Sequence, residues 1–149
     1  MKFDDASWHC DGDFPEGQPE EHSGTHIALF LKWCFAKGWA GQLHMQEEPE
    51  AVHAVINGTM SATDFFFQYC DGKLIDEMLS EAGNAFAELY YGDDGLYLDD
   101  YANNFGDLMY VMPEAAHDFV KYSTILDARL KSGILTKSQL KSKPWWKVW

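Results

Sequence analysis

Between residues 25 and 133 the apolar side chains recur at helical spacing in short segments, and Gly, Asn-Gly and Asp-Gly steps cut these segments apart. A chain patterned this way buries its large side chains as a packing of short helices, with little sheet. In residues 25–39, Ile27, Phe30, Leu31, Cys34 and Phe35 advance by three, one, three and one, the stripe of a helix facing a core. Residues 47–56 read as a short helix with Pro49 in its first turn and Asn57-Gly58 at its end. Ser61 followed by Asp64 resembles a capping box ahead of Phe65, Phe66, Phe67 and Tyr69, and Asp71-Gly72 stops that segment.

Further on, residues 74–79 read as a short amphipathic turn, 84–91 as a helix and 96–105 as another, with Gly92-Asp93-Asp94-Gly95 a strong break before the last. Residues 108–112 suit an extended connector, and Pro113 is read as opening the longest helix, over 113–131. Residues 3–23, rich in Asp, Gly, Pro and Glu, suit an ordered loop or short strand anchored by Phe3, Trp8 and Phe14. The predicted fold is mainly α: a single compact domain of about five to seven helices with an N-terminal loop or strand. Its boundaries are an acidic helical domain over 1–133 and a basic, Trp-rich tail over 134–149.

With 149 residues and 46% hydrophobic composition, one core of ordinary domain size is available and whole-chain disorder is excluded. All 24 acids lie between Asp4 and Asp127, a span holding only Lys32, Lys37, Lys73 and Lys121, so the body carries −20. Such a field argues against nucleic acid and anionic membrane and favours a basic partner. The tail carries only basic charges, and folding back onto the acidic body would cover Trp145, Trp146 and Trp149. No stretch approaches 18 apolar residues and no secretory leader is visible, so the expected compartment is the cytoplasm. Cys10, Cys34 and Cys70, widely spaced and without a CxxC, read as free thiols.

Motifs for chemistry are sparse. Asp93-Asp94 and Asp99-Asp100 lack the alternation and glycine placement of a calcium loop. The histidines form no HExxH or HxH; His22 and His26 are four apart, but Ser23-Gly24 places His22 ahead of the helix. No phosphate loop or nucleophile elbow is present. No catalytic residue, cofactor or metal ligand is therefore assigned, and a non-enzymatic role is expected. The enzyme-class alternative is a metal-assisted hydrolase using His9 and the Asp-rich N-terminal loop.

The constellation that stands out is aromatic and acidic: Asp93, Asp94, Tyr97, Asp99, Asp100 and Tyr101. Carboxylates that pair with Arg, interleaved with tyrosines, suit capture of a basic protein surface. In the competing reading the tyrosines belong to the core and the acids to a solvated face.

Several pieces carry a resemblance: the opening Met1-Lys2-Phe3-Asp4-Asp5-Ala6-Ser7-Trp8-His9 with Gly12-Asp13-Phe14-Pro15, Thr25-His26-Ile27, and Cys70-Asp71-Gly72-Lys73-Leu74. Glu81-Ala82-Gly83-Asn84-Ala85-Phe86-Ala87, Tyr90-Tyr91, Tyr97-Leu98-Asp99-Asp100-Tyr101 and Leu126-Asp127-Ala128-Arg129 continue it. Over roughly residues 1–131 the chain resembles a family of small acidic bacterial domains without an assigned activity. Such domains resemble immunity proteins of bacterial toxin systems, type VI secretion and polymorphic toxins among them. The resemblance implies a cytoplasmic inhibitor, monomer or homodimer, that neutralises a cognate basic toxin through the acidic, Tyr-rich surface. A DNA-mimic or anti-defence inhibitor is the alternative within the binding class.

Overall fold

The computed structural model describes residues 1–10, 20–105 and 113–133. Strand β1 (Lys2–Asp5) leads directly into helix α1 (Ala6–Cys10), and after a 3-10 turn at Glu20–Gly24 comes α2 (Thr25–Ala36). Helices α3 (Gln42–Glu47), α4 (Pro49–Asn57) and α5 (Ala62–Tyr69) follow, then strand β2 (Lys73–Ile75). Helices α6 (Glu81–Tyr90), α7 (Tyr97–Phe105) and α8 (Phe119–Ser132) complete the described chain. The architecture is mainly α, one compact domain with an N-terminal strand, as the spacing predicts.

Helix α2 is the hub. The sequence shows a single stripe, yet ten of its twelve residues are buried, because other elements cover it on several sides. Phe30 shows how: its ring meets Trp33, Phe86, Tyr91 and Tyr97 at centroid distances of 4.9–6.3 Å. Gly24 allows α2 to start where it does, since a Cβ there would stand 2.9 Å from the Phe67 ring.

Four local readings are corrected. Residues 74–79 form β2 and a 3-10 turn (Asp76–Met78), because pairing with β1 overrides weak local helix preference. The helix read over 47–56 is α4, with Pro49 in its first turn as expected, but Glu47 belongs to a separate helix ahead of it, α3. Pro113 starts only a 3-10 turn, Glu114–Ala116; α8 begins at Phe119, where Asp118 accepts from the Val120 and Lys121 amides at 2.9 and 3.1 Å. Glu114 turns away from α8 to cap α5, accepting the Ala62 and Thr63 amides at 3.0 and 2.7 Å. Residues 6–10, read as loop or strand, form the short α1. The Ser61 cap is present, its hydroxyl accepting from the Asp64 amide at 3.0 Å.

The connector at 108–112, the segment Gly12-Asp13-Phe14-Pro15 and the basic tail at 134–149 lie outside the described residues. Cys34 and Cys70 are free and buried, while the Cys10 side chain lies outside the description. Among the described residues no helix is long and apolar enough to cross a membrane.

Candidate metal centre

Strand β1 pairs antiparallel with β2, matching Lys2 with Ile75, Asp4 with Leu74 and Asp5 with Lys73, with a register shift between Lys2 and Asp4. Asp4 and Asp5 are consecutive in the ladder and so face opposite sides of the strand, yet both are buried, Asp5 with Ser7 and Lys2 against it. They divide the work. Asp5 accepts from the Ser7 amide at 2.9 Å and the Ser7 hydroxyl at 2.7 Å, capping α1, and pairs with Lys2 at 2.8 Å. Asp4 points into the molecule.

Helix α1 brings His9 back over Asp4, and the first turn of α2 brings in His26 from the other side. His9 Nε2 lies 2.8 Å from Asp4 Oδ1, His26 Nε2 lies 3.4 Å from Asp4 Oδ2, and the two Nε2 atoms are 3.1 Å apart. One donor atom from each residue falls within 4.8 Å of the others. The imidazole planes are nearly perpendicular, 85°, with centroids 4.3 Å apart, so the Nε2 atoms converge without ring overlap.

Each Nε2 carries either one proton or one lone pair. If His9 donates to Asp4, it cannot also accept from His26; if both donate to Asp4, two N–H groups face each other at 3.1 Å. Two protons therefore cannot satisfy all three contacts, whereas one cation at their centre can. Burial alone would raise the Asp4 carboxyl, but hydrogen bonds from His26 and His9, and their charge, hold it well below the ordinary carboxylate range. Burial pushes the His26 imidazole below its ordinary value, with Asp4 pulling the other way. A carboxylate and a neutral imidazole are the forms that bind metal.

The outer partners hold these groups in place. Tyr91 donates to Asp4 Oδ2 at 2.5 Å, and the Asp5 amide to Oδ1 at 2.8 Å. Tyr91 is itself stacked on Tyr97, centroids 4.5 Å apart and planes 22° from parallel. The Tyr97 hydroxyl donates to the His26 carbonyl and meets the Tyr122 hydroxyl at 2.8 Å. A cavity of about 260 Å³ opens on the cluster, with Asp4, His9, Trp8, Tyr91, Asp93 and Leu98 among its walls.

The sequence-predicted interface is thereby divided. Tyr97 and Tyr101 are 1% and 2% exposed and belong to the aromatic core, with the Tyr101 hydroxyl against His117 Nε2 at 2.5 Å. Asp100 is engaged internally: Arg129 donates to both its oxygens at 2.8 and 2.9 Å, and Tyr90 to Oδ2 at 2.6 Å. Asp93, Asp94 and Asp99 are exposed, and Asp93 lies on the rim of the cavity. His9, named in the hydrolase alternative, lies in the cluster, but its partners Asp4 and His26 come from a bulged strand and a distant helix. No spacing signal in the sequence joins them. His22 stays apart in the 3-10 turn.

A family model described as a domain of unknown function, DUF7832, matches residues 2–118. The chain belongs to that family. The DUF7832 match contains Asp4, His9 and His26, along with Tyr91 and Tyr97, which brace them; α8 lies outside the matched residues. No curated protein and no solved structure matches the chain.

Proposed function

We propose that this domain is a metal-dependent enzyme of hydrolytic type, in which Asp4, His9 and His26 hold one divalent transition ion. The observation that carries the reading is the convergence of three donor atoms within 4.8 Å, in contacts that protons cannot all satisfy. Two imidazoles and one carboxylate form the donor set of open metal sites, where three protein ligands leave a position for water or substrate. An ion so held lowers the pKa of bound water to about 7 and polarises a carbonyl or phosphoryl oxygen. The cavity beside Asp4 and His9 gives a substrate room to reach that position. With a body charge of −20, neutral or cationic substrates are favoured over anionic ones.

Titration of the purified apoprotein with Zn(II) and Mn(II), followed by calorimetry, tests this reading. One ion per chain is expected, with affinity reduced by at least about 100-fold in Asp4→Asn, since even outer partners of a metal ligand are worth 10- to 100-fold. Absence of binding, or binding untouched by Asp4→Asn and His9→Gln, contradicts it.

A second reading, the neutralisation of a basic toxin, draws on the exposed carboxylates of Asp93, Asp94 and Asp99 beside Leu98, itself 38% exposed. Clustered surface charge of one sign steers a partner of the other. Reversal of all three acids to Lys is expected to lower the association rate with a basic polypeptide encoded beside this gene by at least about tenfold at low salt. An unchanged rate removes these residues from any such interface.

A further inference from the structure

A second cluster lies against Phe35 near the C-terminal end of α2, outside the centre just described. His44 on α3 is fully buried, and the Glu48 carboxylate accepts from its Nδ1. That contact leaves Nε2 as the ring's remaining donor atom, and it faces two sulfurs: Met78 Sδ at 2.7 Å and Cys70 Sγ at 3.6 Å. Cys70 and Met78 are 3% and 6% exposed. The Phe65 and Phe35 rings wall the imidazole, with centroids at 5.0 and 6.0 Å.

The backbone fixes this meeting. Cys70 ends α5, Met78 sits in the 3-10 turn after β2, and α3 is pinned to that turn by a Gly41 amide donating to the Met78 carbonyl at 2.9 Å. A Cβ at residue 41 would stand 2.2 Å from the Glu77 carbonyl oxygen, so only glycine permits so close an approach.

Two features select the occupant. Imidazole, thiolate and thioether together are soft donors, the set that favours Cu(I) over hard divalent ions. A carboxylate behind the far nitrogen of a histidine orients the ring and raises its basicity toward a metal, the role Glu48 is placed to take.

We propose that His44, Cys70 and Met78 form a buried Cu(I) site, braced by Glu48. As the ion binds, the S–H bond of Cys70 is replaced by a sulfur–copper bond, the proton passes to solvent, and copper keeps its oxidation state. The 3.6 Å between Nε2 and Cys70 Sγ matches the edge of a trigonal site with bonds of about 2.0 Å to nitrogen and 2.3 Å to sulfur. Met78 needs to swing outward by about 1 Å, within reach of its flexible thioether.

The test is competition for Cu(I) between a chromophoric Cu(I) chelator and the reduced full chain, carried in a Cys10→Ser, His26→Gln background. This background removes the Cys10 thiol and one ligand of the first centre. One Cu(I) per chain is expected, with affinity lowered at least about tenfold by Met78→Leu, Cys70→Ser and Glu48→Gln separately. Met78→Leu conserves volume and keeps the core filled, and circular dichroism checks that each variant is folded. Should Cys70→Ser fail to fold, X-ray absorption at the copper edge of the wild-type chain decides, with two sulfurs and one nitrogen around the ion as the expected shell. Failure to retain Cu(I) against the chelator, a shell lacking two sulfurs, or folded Met78→Leu and Glu48→Gln variants with undiminished affinity overturns the proposal. None of these outcomes bears on the divalent centre.

Discussion

Replacing His26 with glutamine is expected to reduce divalent-ion affinity by at least about 100-fold, measured by calorimetric titration, without dismantling the fold. The loss of a direct ligand should exceed the 10- to 100-fold typical of an outer partner. His26 is fully buried and its Nε2 meets both His9 and Asp4, so the substitution removes a corner of the donor triangle and leaves Asp4 with one imidazole. Glutamine keeps a polar group of similar length in the space. Tyr91→Phe provides the graded control: it deletes the 2.5 Å hydrogen bond to Asp4 while preserving the ring stack on Tyr97. About tenfold weaker binding is expected there. Equal affinity in wild type and His26→Gln would remove this histidine from the centre.

Phe30→Ala is expected to be the most destabilising single change, costing about 3–5 kcal/mol in denaturant unfolding, the range for truncating a fully buried Phe. Its ring touches Trp33 on its own helix, Phe86 on α6, Tyr91 after α6 and Tyr97 on α7, so the void forms where several elements meet. Surrounding rings can collapse only partly into such a junction, which places the cost in the upper part of the range. Phe30 also buttresses Tyr91, with centroids 4.9 Å apart. A folded Phe30→Ala protein should therefore bind a divalent ion more weakly, although residue 30 touches no ligand. A loss below about 1 kcal/mol would contradict the placement of α2 at the hub.

These two positions show what periodicity can and cannot tell. The burial of Phe30 is visible in the apolar steps from Ile27 to Phe35, because helical spacing is a local property. His26 sits one residue before that stripe, and its helix is equally legible. Its chemistry is not: Asp4 reaches it only because β1 pairs with a strand some seventy residues away, and a pairing of that range leaves no mark in composition. The same limit explains why residues 74–79 read as a helical turn, since weak local preference gives way to the partner strand. Tyr97 and Tyr101 show the reverse difficulty. Their alternation with acids suits an interface, but on α7 they fall on the inward face with Phe105, while Asp93, Asp94 and Asp99 stay exposed. His44, Cys70 and Met78 lie on three different elements, so spacing alone could not join them.

The most direct test of the central claim is X-ray absorption spectroscopy at the zinc edge of the protein loaded with one equivalent of Zn(II). Only nitrogen and oxygen neighbours at about 2.0–2.2 Å are expected, with outer-shell scattering from two imidazoles and no sulfur. A shell with sulfur at about 2.3 Å, or one lacking imidazole scattering altogether, would show that Asp4, His9 and His26 are not where the ion binds.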